Sequence, residues 1–283
     1  MPRLLICTDL DRTLLPNGKQ AESPEARALF ARLMARHEVY LAFVSGRHRA
    51  LVEQAIADYQ LPTPDWVIAD VGSSIYAVHD DWQAWHSWQH AIAVDWQDLT
   101  APDLQTLFTD LTVLTLQESE KQNRYKLSYY LPLITDYNDL QLQMQQRLME
   151  KNLAANLIYS IDEAASIGLL DVLPKRANKL HAIEFLMQQQ GFTDENTVFA
   201  GDSGNDLAVL ISHIPSVLVA NADDNVRQQA QQQANPEHLY CARGDFFGMN
   251  GNYSAGILEG IAHYHPLIFN EILCDQDGGY QKI

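Results

Sequence analysis

The sequence has few basic residues, few cysteines and no long apolar run. Its 19 lysine and arginine residues stand against 36 aspartate and glutamate residues, and the formal net charge is −17. Binding nucleic acid requires a dense basic surface, so this balance argues against nucleic acid as a partner. The three cysteines, Cys7, Cys241 and Cys274, have no regular spacing, which argues against both a disulfide framework and a zinc site.

No uninterrupted apolar segment approaches the roughly 20 residues that a membrane helix requires, and the first residues do not resemble a secretory signal. The composition, 47% hydrophobic and 19% charged, is that of an ordinary globular protein. We therefore expect a cytoplasmic protein that neither crosses a membrane nor is exported, and that acts as a monomer or a weak homo-oligomer.

Short apolar runs alternate with amphipathic segments in the early and late parts of the chain. The runs "RLLICTDL", "VYLAFVS" and "DWVIADVG" are separated by helix-like segments, and "GLLDVLP", "NTVFAGD" and "SVLVAN" repeat the rhythm later. Continuous apolar strands are typical of a parallel sheet that helices cover on both faces. The pattern predicts an α/β fold with one doubly wound, Rossmann-like parallel sheet that contains both groups of strands.

The middle of the chain is rich in tryptophan and glutamine and contains one alternating strand, "YKLSYYL". We predict that residues 81–165 form a smaller α+β domain inserted into a core of residues 1–80 and 166–283. Alternation places three residues of that strand on one face: Leu127, Tyr129 and Leu131.

Two acidic clusters follow predicted strands. Asp9 and Asp11 follow the first strand, and "GDSGND" brings Asp202 and Asp206 to the same carboxyl edge of the sheet, where open α/β sheets bind ligands. Like charges this close need either a shared proton or a cation between them, and carboxylate oxygens suit Mg²⁺. Acids also end strands and begin helices for purely structural reasons, so each cluster alone leaves both interpretations open.

Two further residues could bind phosphate. Ser45 ends the strand in "AFVSGRH", and Lys179 begins a predicted helix in "PKRANKLHAI". Hydroxyl groups, ammonium groups and helix N-termini all favour phosphoryl oxygens. Taken singly, such a serine is more often a helix cap and such a lysine more often a solvated charge.

The order "DLDRT", "VSGR", "ANK" and "GDSGND" resembles the four motifs of the haloacid dehalogenase (HAD) superfamily of phosphohydrolases. The resemblance implies that Asp9 is a nucleophile that forms an aspartyl-phosphate. Asp11 would protonate the leaving alcohol and later activate water.

The same resemblance implies a Mg²⁺ site and a phosphate site. The residues implied for Mg²⁺ are Asp9, the Asp11 main-chain carbonyl and Asp202, with support from Asn205 and Asp206. The residues implied for the phosphoryl group and nearby substrate atoms are Ser45, Gly46, Arg47, Lys179 and Asn205. Lys179 would also offset negative charge during transfer.

The long interval between Ser45 and Lys179 has room for a type-II cap domain. "LPTPDWVIADVGSSIY", "LPKRANK", "GDSGNDL" and "AGILEGIAHY" resemble the sucrose-phosphate phosphatase family in particular. The resemblance implies Mg²⁺-dependent hydrolysis of a phosphorylated sugar, with a disaccharide phosphate such as sucrose 6-phosphate preferred. A phosphosugar mutase, a phosphatase for another small metabolite and a non-catalytic sensor are the alternatives.

Four residues of the cap segment become candidates for binding sugar hydroxyls: Gln117, Gln122, Asn123 and Lys126. Lys126 is equally well explained as a solvated charge on an edge strand. Trp82, Trp85 and Trp88 would form one stripe if helical, more often a packing feature than a platform for a sugar ring.

Overall fold

A computed structural model describes residues 3–162 and 165–269. Within these ranges twelve strands form two sheets: β1 (Leu4–Thr8), β2 (Val39–Val44), β3 (Trp66–Ala69), β4 (Ser74–Val78), β5 (Trp82–Ala84), β6 (Thr115–Leu116), β7 (Leu127–Leu131), β8 (Ala155–Asp162), β9 (Ile167–Pro174), β10 (Thr197–Gly201), β11 (Ser216–Leu218) and β12 (Leu239–Cys241). The described α-helices are α1 (Ala26–Met34), α2 (Arg49–Tyr59), α3 (His86–Ala93), α4 (Ala101–Gln105), α5 (Tyr137–Glu150), α6 (Lys179–Gln190), α7 (Leu207–Leu210), α8 (Asp224–Gln233) and α9 (Ser254–Tyr264).

The large sheet has the strand order β12-β11-β10-β1-β2-β3-β4-β5. Its strands run parallel from β12 to β3, and β4 and β5 extend it as antiparallel strands. Every residue of β1 is buried, as expected for a central strand of "LLICT" that is covered on both faces. The predicted α/β fold with a parallel sheet is confirmed.

The small sheet is antiparallel, with the order β6-β7-β9-β8. Leu127, Tyr129 and Leu131 are buried together, as the alternation in β7 predicts. The assignment of "GLLDVLP" to the large sheet was wrong, because β9 pairs with β7 and β8. Burial alternates along much of β9, but Leu169 on its less buried face is apolar as well. The sequence of the strand therefore looks continuously apolar.

The boundaries between the two sheets do not coincide with the predicted domain boundaries. Strand β5 begins at Trp82 and still belongs to the large sheet, whereas the small sheet continues to Pro174. The division of the chain into a core and an inserted domain stays a prediction. Trp82 lies in a strand and Trp88 in a helix, so the tryptophans do not form one helical stripe. Trp88 is buried and packs on Phe185, which supports the packing interpretation.

Cys7 is buried and Cys241 is partly buried, and neither forms a disulfide. Cys274 lies outside the described residues. In the part of the chain that the structure describes, no helix has the length and apolar character to cross a membrane.

The turn after β3 is tightly packed at Gly72. This residue has φ +99°, and a Cβ placed there would lie 2.6 Å from the carbonyl oxygen of Asn178, which immediately precedes α6. By contrast, Gly191, with φ +71° at the end of α6, has open space around it.

We expect Gly72→Ala to destabilise the protein by about 2 kcal/mol more than Gly191→Ala, which should cost about 1 kcal/mol. Both variants strain a left-handed backbone, but only the first adds a steric clash. Urea denaturation of the two variants measures the difference. Equal losses would show that the contact between Gly72 and Asn178 relaxes freely.

Candidate active site

A buried lysine joins two aspartates at the carboxyl edge of the large sheet. The Lys179 Nζ donates hydrogen bonds to Asp9 Oδ1 at 2.9 Å and to Asp206 Oδ1 at 2.7 Å. Only 3% of Lys179 is exposed. Asp9 follows β1, and Lys179 is the first residue of α6, whose N-cap Asn178 accepts a hydrogen bond from the His181 N–H. Three distant segments therefore meet in one ion-paired cluster.

Asp206 also shapes the turn that follows β10. Its Oδ2 accepts hydrogen bonds from the N–H groups of Asp202 and Ser203 at 3.1 and 3.0 Å. The turn folds back so closely that a Cβ on Gly201 would lie 2.6 Å from the Asp206 Cγ. The small residues of "GDSGND" therefore allow one carboxylate both to fix the turn and to bind Lys179.

Asp202 lies beside this pair and is almost completely buried, with 1% exposed. Its Oδ1 accepts a hydrogen bond from Thr13 Oγ1 at 3.0 Å, and the Arg12 Nε lies 3.3 Å from its Oδ2. Among the described residues, that Oδ2 has no hydrogen-bond partner. A buried carboxylate oxygen without a hydrogen bond is costly unless a cation or another donor reaches it.

The cluster has more negative than positive charge. Burial, followed by the neighbouring carboxylates, raises the pKa of Asp9 and outweighs the lowering effect of Lys179. Burial and Asp206 likewise raise the pKa of Asp202 to about 6. Burial alone would lower the pKa of Lys179, but Asp206 and Asp9 raise it above its usual value. The Lys179 ammonium therefore stays charged, but it does not neutralise all the negative charge of the three carboxylates.

The three carboxylates fit a divalent cation. Asp9, Asp202 and Asp206 each offer an oxygen, and these oxygens lie within 4.8 Å of one another. Hard oxygen donors, among them the Asp202 Oδ2 that lacks a hydrogen bond, are suited to Mg²⁺. The expected binding of Mg²⁺ by the Asp11 main-chain carbonyl stays a prediction.

The Asp11 side chain pairs with Arg47. Arg47 donates to Asp11 Oδ2 at 2.8 Å and to Asp11 Oδ1 at 2.6 Å, and the Asn17 amide donates to Oδ1 at 2.6 Å. Burial tends to raise the pKa of Asp11, but these partners outweigh it and hold the pKa below its usual value. Arg47, predicted to contact substrate, is thus paired with the predicted acid.

Ser45 ends β2, next to β1, as predicted. It is fully buried, and its Oγ accepts a hydrogen bond from the Arg47 N–H at 3.1 Å. Gly46 and Asn205 are exposed at the surface of the same region. Because β1 and β2 pair in parallel, with Thr8 opposite Phe43, the ends of both strands meet at one edge.

Two predicted sugar-binding residues are engaged within the small sheet. The Gln117 Nε2 donates to the Tyr129 carbonyl at 2.9 Å. Gln122 accepts from the Ser128 N–H and donates to the Ser128 carbonyl, both at 2.8 Å. Both amides therefore satisfy backbone groups of β7, and their role in binding sugar hydroxyls stays a prediction.

The other two candidates reach the large sheet. The Asn123 Nδ2 donates to Ser73 Oγ at 2.9 Å. Lys126 is 6% exposed, and its Nζ lies 3.8 Å from Asp70 Oδ1 and 3.8 Å from Asp171 Oδ1. The interpretation of Lys126 as a solvated charge on an edge strand was wrong, because the residue is buried and β7 lies between β6 and β9.

Sequence reasoning assigned no role to several residues at this edge. Thr13 binds Asp202, and the Asn221 Nδ2 donates to the Arg12 carbonyl at 2.6 Å while its Oδ1 accepts from the Tyr253 N–H. Asp70 ends β3. The signal was present, because Asp70 and Asn221 follow predicted apolar strands as Asp9 does, and such strands end at the same edge.

Comparison with known proteins identifies the family of this chain. The family model for sucrose-6F-phosphate phosphohydrolase matches residues 2–265. This chain belongs to that family. The resemblance inferred from the motifs is therefore confirmed, and the family is one of phosphoric monoester hydrolases with the HAD fold.

The individual relatives differ in their sequence identity to this chain and in their own length. A putative HAD-like hydrolase from Nitrosococcus oceani is 56% identical over 268 residues, covering 93% of this chain and 72% of that protein. A probable sucrose-phosphatase from Arabidopsis thaliana is 28% identical over 93% of this chain. The chain spans only 60% of the length of that protein. The Synechocystis sucrose-phosphatase solved with sucrose and phosphate has a TM-score of 0.73 at 25% identity, covering 93% of this chain and 98% of that one.

We expect Lys179→Met to destabilise the protein by about 3–5 kcal/mol, because it leaves the buried carboxylates of Asp9 and Asp206 without their cation. Lys175→Met, four residues earlier and exposed, should change stability by less than about 0.5 kcal/mol. Urea denaturation in the presence of a chelator measures both. Similar values for the two variants would contradict the central role of the buried ion pairs.

Proposed function

We propose that this protein hydrolyses the phosphate monoester of a sugar in a Mg²⁺-dependent reaction, and that it prefers a disaccharide phosphate such as sucrose 6-phosphate. The observation that carries the proposal is the buried Lys179 held between Asp9 and Asp206, beside Asp202. A positively charged group next to a buried carboxylate is suited to receive the dianionic phosphoryl group that the carboxylate attacks. The family match supports the substrate class.

In the proposed reaction, Asp9 attacks phosphorus and the bond from phosphorus to the sugar oxygen breaks. Asp11 gives its proton to the departing oxygen, leaving an aspartyl-phosphate on Asp9. Asp11 then accepts a proton from water, which attacks phosphorus and releases inorganic phosphate. Both carboxylates return to their starting states, so one water is consumed for each sugar released.

Other residues hold the phosphoryl group during both steps. Ser45 and Lys179 bind its oxygens, and Lys179 offsets the charge that accumulates in transfer. Asp9, the Asp11 main-chain carbonyl and Asp202 would hold Mg²⁺, with Asn205 and Asp206 in support. When bound, the ion would neutralise charge on the phosphoryl oxygens.

The pair between Arg47 and Asp11 has to open for this reaction. Asp11 must carry a proton to act as an acid, whereas Arg47 stabilises its ionised form. Guanidinium groups bind carboxylates and phosphates with the same two-pronged geometry. We therefore expect Arg47 to exchange Asp11 for a phosphoryl oxygen when substrate binds.

The contacts of the cap-segment cations argue against the mutase alternative. A mutase would need a second anion site, for which three basic residues of the cap segment are candidates: Lys121, Arg124 and Lys126. Lys121 donates to the Tyr130 hydroxyl and pairs with Glu118, and Lys126 lies between carboxylates. Product analysis decides between the two activities, because a mutase yields an isomeric phosphate and a phosphatase yields free phosphate.

A panel of phosphate esters tests the substrate class. We expect faster phosphate release from disaccharide phosphates than from monosaccharide phosphates or p-nitrophenyl phosphate, loss of activity in a chelator, and recovery with Mg²⁺. Colorimetric phosphate assays measure these rates. Undiminished activity in the chelator would contradict the metal requirement, and no preference for sugars would contradict the substrate class.

We expect Asp9→Asn to reduce phosphate release by at least about a thousand-fold, because an amide cannot form the aspartyl-phosphate. Circular dichroism should show an unchanged fold, since the amide has the same shape. The exposed Asp98→Asn is the matched control and should retain full activity. Turnover retained in the Asp9 variant would overturn its assignment as nucleophile.

A further inference from the structure

Asp70 lies at the same sheet edge as the phosphate site, one strand beyond Ser45. It is 4% exposed and follows β3 directly. Its N–H donates to the Arg47 carbonyl at 3.0 Å, and the Val71 N–H donates to the Ser45 carbonyl at 3.1 Å. The turn that carries Asp70 is therefore braced against the segment that carries Ser45 and Arg47.

The backbone of this turn is strained. Asp70, Val71 and Gly72 have φ values of +54°, +61° and +99°, and a β-branched residue such as valine rarely adopts a left-handed conformation. The turn is held by the Trp88 Nε1, which donates to the Gly72 carbonyl at 3.0 Å, and by the close approach of Asn178. Strain that packing maintains in this way is common where a side chain must be aimed at a ligand.

Facing Asp70 is the ammonium group of Lys126 from the small sheet. At 3.8 Å from Asp70 Oδ1 and 3.8 Å from Asp171 Oδ1, it is too far to hydrogen-bond either carboxylate. Within the described residues its hydrogen bond is to the Lys121 carbonyl, at 3.3 Å. An ammonium has three donors, and buried donors are normally paired, so Lys126 has donors to spare.

A neutral hydroxyl group beside these charges is suited to bind both of them. A hydroxyl can accept from the ammonium and donate to a carboxylate, so it can bridge groups that do not bond each other directly. An anion would be repelled by Asp70 and Asp171, and a cation by Lys126. These opposed charges are therefore suited to a polyhydroxylated neutral group, such as the sugar portion of a sugar phosphate.

We propose that Asp70 is a specificity-determining residue that accepts a hydrogen bond from a hydroxyl of the leaving sugar, while Lys126 donates to the same sugar from the opposite side. This inference rests on the proposed function, and it adds to it a contact from the large sheet. A substrate with a hydroxyl at this position links the two sheets across the site. An ester without one lacks this link.

Asp70→Asn is the test, because asparagine has the same shape and tolerates a left-handed backbone. With the preferred sugar phosphate, we expect its KM to rise about tenfold to a hundredfold, the loss typical of a hydrogen bond to a charged group. With p-nitrophenyl phosphate, KM and kcat should stay within about twofold of the unmodified protein, because the phosphate site is intact.

The exposed Asp98→Asn is the matched control, since Asp98 also has a positive φ, +64°, and should leave both substrates unaffected. Inhibition by the free sugar and by inorganic phosphate gives a second measurement. The inhibition constant of the sugar should rise in the Asp70 variant and that of phosphate should not. Asp70→Ala, which removes the acceptor altogether, should show the same selective loss.

An unchanged KM for the sugar phosphate, or an equal loss with both substrates, would overturn the role of Asp70 and leave the proposed function standing. If the unmodified protein shows no preference for any sugar phosphate over p-nitrophenyl phosphate, the proposed function and the role of Asp70 both fail. A sugar preference that survives in Asp70→Asn and Asp70→Ala contradicts the Asp70 inference alone.

Discussion

The buried ammonium of Lys179 is the interaction on which the rest of the site depends. Two aspartates, one after β1 and one in the turn after β10, are buried at the same edge and would repel each other without it. Lys179 comes from α6, so the pairing also ties the return of the chain from the small sheet to the central strand. The charge that prepares the site for phosphate thus also fixes the relative positions of the segments that form it.

The remaining charge imbalance explains why this edge is suited to a metal ion. Asp202 is buried with one oxygen that lacks a hydrogen bond, and the pKa values of Asp9 and Asp202 lie above their usual range. A divalent cation would lower both pKa values and offset the negative charge that Lys179 and Arg12 leave unbalanced. Parallel strands make this arrangement possible because the ends of β10, β1 and β2 all lie at one edge.

The polar residues of the loop before β7 have two kinds of partner. Gln117 and Gln122 bind the backbone of β7, whereas Asn123 and Lys126 extend to the turn after β3. A segment rich in amides thus supports its own loop with some side chains and contacts the large sheet with others. The backbone groups that need partners decide which side chains bind the loop and which contact the large sheet. Those groups are defined only when the loop is folded against β7.

The order of the motifs determined the parallel sheet, the acids at its edge and the family, because an apolar strand followed by polar residues is a local pattern. Asp9, Ser45 and Asp202 could be placed at this edge in this way because each follows an apolar run, and Lys179 could be placed at the start of a helix. Only the tertiary structure decided that β9 joins the small sheet, that Lys126 is buried and that Asp70 faces it. Strand pairing and burial depend on contacts between residues far apart in the chain, and an apolar strand has the same composition in either sheet.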